Sequence, residues 1–142
     1  MSSVHHRGTP DRPGLVLALD REKGAACEGV VMWIRDANWL QVMTDIRRRE
    51  LVTSAYRESV VRVELREGGH VDAITYVVDK THSQYRCGLP LEAQAEIIAA
   101  ATGVSGDNLD YLRSSVRRLG ELGIRDETLV EIERLVLRSA PT

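Results

Sequence analysis

The feature that most constrains this chain is a change of hydrophobic period near residue 78. Before it, Ser59–Arg66 alternates, with Val61, Val63 and Leu65 on one side and Arg62, Glu64 and Arg66 on the other. Glu67-Gly68-Gly69-His70 then turns the chain into Val71–Val78, which predicts a hairpin with one wet face. Gly14–Asp20 (GLVLALD) and Glu28–Ile34 (EGVVMWI) are short apolar runs behind turn-forming or charged residues, the pattern of buried strands. One helical stripe lies among them, because Trp39, Val42, Met43 and Ile46 recur at i, i+3, i+4 and i+7. After residue 78 only the helical period remains: Leu91, Ala95, Ile98 and Ala99, then Leu109, Leu112, Val116 and Leu119, then Leu129, Ile132, Leu135 and Val136. Gly103 punctuates the first of these helices, Asp107 and Gly120 bracket the second, and Asp126 can cap the third. Strands first and helices grouped late predict an α+β fold: a mostly antiparallel, barrel-like sheet with helices packed on one side. Residues 139–142 read as a loose tail.

A chain of 142 residues buries enough surface for one core, so residues 1–142 are expected to form a single domain. Cys27 and Cys87 are too far apart for a CxxC pair, which favours a reducing, cytoplasmic setting and the behaviour of small buried hydrophobes. No run approaches a membrane span and the N-terminus lacks a signal-peptide layout, so no membrane partner is expected. Nineteen Lys and Arg against 21 Asp and Glu give a net charge of −2, a poor field for phosphate backbones. Phenylalanine is absent and aromatics make up 4%, which further argues against nucleic acid.

Glu50 carries the most chemical information. It lies eleven residues beyond Trp39, about 1100° around a helix, or three turns plus roughly 20°. A carboxylate ending an apolar stripe is partly desolvated and so suited to accept a proton near neutral pH. The same residue could instead pair with Arg47, Arg48 or Arg49, or the helix could end before it. Those three arginines point about 100° apart and cannot converge on one ligand, so they read as a solvated face. His5, His6, His70 and His82 lack metal-ligand spacing and the cysteines do not supply the missing ligands, so no metal is expected. Gly103-Val104-Ser105-Gly106 lacks the second intervening residue of a nucleophile elbow and reads as a turn between helices.

Several segments resemble, in order, the ChaC-like, glutathione-specific γ-glutamylcyclotransferases. They are His6-Arg7-Gly8-Thr9-Pro10 with Arg12-Pro13-Gly14, Leu15–Asp20, and Arg49-Glu50-Leu51-Val52-Thr53 with Tyr56. Downstream follow Val77-Val78-Asp79, Tyr85, Leu89-Pro90-Leu91 and the run from Gly103 to Leu112. The resemblance covers nearly the whole chain. It implies conversion of glutathione to 5-oxoproline and cysteinylglycine without a cofactor, with Glu50 as base and then acid. It further implies that Tyr56, Asn108 and Tyr111 line the substrate pocket. Members of the family open with a strand and a Tyr-Gly-Ser-Leu turn whose amides hold the γ-glutamyl group. This sequence contains no such turn, so the expectation is a domain short of its first strand, with an open sheet edge on which a second copy could pair. The alternative reading is an inactive domain that binds a γ-glutamyl compound or a protein partner.

Overall fold

A computed structural model describes residues 1–139, so the expected tail lies, past Ser139, outside the described residues. The fold is α+β. In chain order it contains β1 (Ser2–Ser3), β2 (Gly14–Leu15), a single 3-10 turn (Asp36–Asn38), α1 (Trp39–Glu50), β3 (Tyr56–Glu64), β4 (His70–Val78), α2 (Leu91–Ala100), β5 (Thr102–Gly103), β6 (Gly106–Asp107), α3 (Asn108–Glu121) and α4 (Glu127–Ser139). The chain divides into two compact units, residues 1–17 with the chain from Arg86 onward, and Ala18–Tyr85.

The first unit is built on α2, α3 and α4. Ala95, Ile98, Leu112, Leu129, Ile132 and Val136 form its buried core, with Leu15, Leu91, Leu109, Val116 and Leu119 packed against them. Leu15 apart, these residues belong to the three predicted helical stripes, whose one apolar face each must be covered by a neighbour; Ala99, expected in the first stripe, is exposed. The Asp126 carboxylate accepts the Leu129 amide at 3.0 Å, the predicted cap of α4. Gly103 lies beyond the end of α2 as expected, but Asp107 and Gly120 differ from expectation. Asp107 occupies the N-cap position of α3 without a side-chain cap bond, because its carboxylate accepts the Thr102 hydroxyl instead. Gly120 lies inside α3; the helix stops at Gly123 (φ +73°), where Ile124 N–H bonds Leu119 C=O and Gly123 N–H bonds Gly120 C=O. That pair of bonds is the Schellman closure, which needs the left-handed residue that glycine supplies.

The N-terminal segment is woven into this unit by glycines. A Cβ on Gly8 would stand 2.1 Å from Gly14 N, one on Gly14 2.0 Å from Arg7 O, and one on Gly103 2.5 Å from Gly8 N. The HRGTP, RPG and GVSG motifs therefore meet backbone to backbone, where no larger residue fits. Thr9 N–H to Arg12 O and Arg12 N–H to Thr9 Oγ1 close the intervening loop. Val104 and Ser105 donate their amides to the carbonyls of His5 and His6.

The second unit rests on the predicted hairpin. β3 and β4 pair antiparallel with Tyr56 opposite Val78, Glu58 opposite Tyr76, and Val60 opposite Ile74. Its core is thin: Met43 of α1, Ala55, Val77 and Val78. Leu19 makes one parallel bridge to Val77. Asp79, just after β4, accepts the amide and hydroxyl of Thr81 and both Nε and Nη2 of Arg57. These donors, Thr81 first, hold its carboxyl down to about 2. A depressed folded value means the stabilisation is present in full above the unfolded value of 3.8 and is lost as pH falls toward about 2. Thermal melts of Asp79→Asn should therefore lie furthest below wild type above about pH 4 and converge with it near about pH 2. A gap independent of pH would contradict this.

Three expectations are corrected. Residues 28–34 form no strand: Val30 and Val31 are exposed, and Met32 and Trp33 are 82% and 87% exposed. Strand propensity needs a ladder partner, and among the described residues this run has none. For the same reason the sheet is not barrel-like. The strands make three separate two-stranded antiparallel ladders, β1–β2, β3–β4 and β5–β6. Cys27 and Cys87 are both exposed free thiols rather than buried, since each lies in irregular chain. No helix among the described residues is long and apolar enough to cross a membrane.

Candidate active site

Glu50 is the last residue of α1. Met43 is buried and Val42, Ile46 and Glu50 are half-buried, so the predicted stripe exists and Glu50 terminates it. Trp39, expected to begin it, is exposed. The Glu50 side chain is 28% exposed and its Oε1 accepts Arg49 Nη2 at 2.8 Å and Nε at 2.9 Å. Arg49 is itself far out in solvent, so this pair is screened and holds the carboxylate only loosely. The three arginines do diverge. Arg47 binds Glu58, Arg48 reaches Asp45 at 4.0 Å, and Arg49 takes Glu50.

The loop from Glu50 to Tyr56 contains Ser54 at φ +57°, a left-handed conformation that glycine would hold more cheaply. Tyr56 then opens β3, half-buried, on the same face as Glu58 and Tyr76. Glu50 and Tyr56 thus belong to the second unit, whereas Asn108 and Tyr111 belong to the first.

Asn108 and Tyr111 stand three residues apart at the start of α3 and grip one extended segment. Asn108 is fully buried; its Oδ1 accepts Leu15 N–H at 2.6 Å and its Nδ2 donates to Leu15 C=O at 2.7 Å. The Tyr111 hydroxyl accepts Leu17 N–H at 3.1 Å. Together they imitate a neighbouring strand for Leu15–Leu17. Asn108, expected against substrate, has both ends of its amide spent on the backbone. Arg7 was not singled out as a site residue. Its guanidinium lies 5.6 Å from the centre of the Tyr111 ring and donates to the Asp107 carbonyl at 3.2 Å, and among the described residues no carboxylate pairs with it. Its position inside the HRGTP motif was the available signal. Beside it His6 Nδ1 and Ser105 Oγ are 3.0 Å apart on the surface.

Set against known proteins, residues 1–139 match the family model described as ChaC-like protein. The chain belongs to that family. It is 32% identical over 139 residues to the glutathione-specific γ-glutamylcyclotransferase of Escherichia coli (strain K12), which aligns with 95% of this chain and 59% of its own length. It is 28% identical over 140 residues to γ-glutamylcyclotransferase 2-3 of Arabidopsis thaliana, across 94% of this chain and 70% of that protein. The ChaC-like chain thus spans about three-fifths of the E. coli relative. Its fold matches the crystal structure of a yeast γ-glutamylcyclotransferase specific to glutathione with a TM-score of 0.77 at 19% identity, over 96% of this chain and 81% of that one.

Proposed function

We propose that this ChaC-like protein is a glutathione-specific γ-glutamylcyclotransferase in which Glu50 carries the proton. The observation behind this is the placing of one half-buried carboxylate at the end of a core-facing stripe in a chain of this family. Glutathione presents its own nucleophile. Its α-ammonium, with a pKa of about 8, first gives a proton to the Glu50 carboxylate. The free amine then attacks the γ-carbonyl carbon and closes the five-membered lactam. As the bond from that carbon to the cysteinyl nitrogen breaks, the protonated Glu50 returns its proton to that nitrogen, then takes the second proton from the ring nitrogen and passes it to the departing amine, which leaves as an ammonium. Atoms balance without water, metal or redox partner, and the products are 5-oxoproline and cysteinylglycine. Because both reacting groups belong to one molecule, the protein mainly holds the folded-back conformer, where proximity is worth several kcal/mol. In this reading Tyr56, in the same unit as Glu50, contacts substrate, while Asn108 and Tyr111 act within the other unit by fixing the Leu15–Leu17 backbone. The chain works as one such domain, in a cytoplasmic setting that keeps both thiols reduced. Incubation with glutathione, followed by chromatographic assay of 5-oxoproline, should show product in proportion to enzyme. Absence of 5-oxoproline above a heat-denatured control would refute the assignment.

A further inference from the structure

Helical spacing puts Arg47 three residues before Glu50, so both project from the last turn of α1 on neighbouring lines. Hairpin register puts Glu58 directly opposite Tyr76, with Tyr56 two residues earlier on the same face. The two elements are joined by a bidentate pair, Arg47 Nε to Glu58 Oε2 at 2.7 Å and Arg47 Nη2 to Glu58 Oε1 at 2.8 Å. The Tyr76 hydroxyl donates to the same Glu58 Oε2 at 2.9 Å. A fork-to-fork guanidinium–carboxylate pair fixes orientation as well as distance, which a single contact would not. Glu58 is 27% exposed, close to Glu50 in its access to solvent.

We propose that Arg47, Glu58 and Tyr76 are a positioning network for Glu50, locking the end of α1, and with it the carboxylate one turn on, onto the hairpin. It rests on the reading of Glu50 as proton carrier. Burial first, then the bond to Glu58 and its charge, push the Tyr76 hydroxyl up, as expected of a donor held against a carboxylate. Charged and titratable groups on this side are Arg47 and Arg49 from α1 and Tyr56, Glu58 and Tyr76 from the hairpin. Arg57 projects from the other face, where it binds Asp79.

The test is turnover of glutathione by the full chain, with far-ultraviolet dichroism as the fold control. In Arg47→Met and in Glu58→Gln kcat should drop about tenfold with KM within about twofold, and Arg47→Lys should recover part of the loss. Folded variants with kcat within about twofold of wild type would overturn the proposal, as would a loss confined to KM. Should one variant fail to fold, the other alone decides by its kcat. Failure of wild type to make 5-oxoproline would sink Glu50 as proton carrier and the network with it, whereas an active wild type beside equally active variants would sink the network alone.

Discussion

Glu50→Gln should lower 5-oxoproline formation about 10²–10⁴-fold while leaving the fold in place. The two side chains are nearly isosteric, and glutamine still accepts a hydrogen bond from Arg49, but it cannot take a proton from an ammonium. Stability should scarcely change, because an exposed ion pair of this kind contributes only about 0–1 kcal/mol. Far-ultraviolet dichroism and melting temperature are the controls. Glu50→Asp separates proton chemistry from reach. It keeps the carboxylate but withdraws it by one methylene, so its activity should fall between wild type and the glutamine variant. Tyr56→Phe should cost less than either, since it removes a contact and not the proton carrier. Turnover by Glu50→Gln within about twofold of wild type would exclude Glu50 from the chemistry.

Local pattern carried much of this architecture. The helical stripes at 91–99, 109–119 and 129–136 became α2, α3 and α4 because each helix has one apolar face and the three faces cover one another. The hairpin was equally legible, since its alternation and its Gly68-Gly69 turn lie within a few residues of each other. What could not be read was pairing at a distance. EGVVMWI has the composition of a strand, yet a strand exists only against a partner, and nothing in seven residues says whether one is there. The same limit applies to the site. Helix geometry placed Glu50 at the end of the α1 stripe and spread the arginines apart, but Arg47 was read as solvated because its partner Glu58 lies eleven residues on, in another element. Glu58 and Tyr76 were missed entirely: they meet across eighteen residues by hairpin register. Gly8, Gly14 and Gly103 stood out as motif letters, but their reason, backbones in contact, is visible only in three dimensions.

Asn108→Ala should be the most destabilising single change among the candidate site residues, by about 2–4 kcal/mol, with a drop in melting temperature of roughly 6–15 °C. The loss is not that of one hydrogen bond. Asn108 serves both the amide and the carbonyl of Leu15 across 93 residues of sequence, and alanine leaves both without partners at a position closed to water. Each such backbone group costs about 1–3 kcal/mol when left unpaired. Tyr111→Phe removes a single bond, to Leu17, at a more exposed place, and should cost only about 0.5–1.5 kcal/mol. Asn108→Asp is the sharper probe, because its shape is retained and only its hydrogen-bonding sense changes. One carboxylate oxygen can still accept Leu15 N–H, but the other would face the Leu15 carbonyl, to which asparagine donates at 2.7 Å. Burial and that opposed dipole both raise the folded pKa of the new carboxyl above its unfolded value. A raised value means that the charged form is what destabilises, so the deficit relative to wild type should be large at neutral pH. It should shrink as pH falls through the raised folded value, where the protonated acid can donate to the carbonyl again. An alanine variant within about 0.5 kcal/mol of wild type, or an aspartate variant with no pH-dependent deficit, would show that the Leu15–Leu17 segment is held by something other than α3.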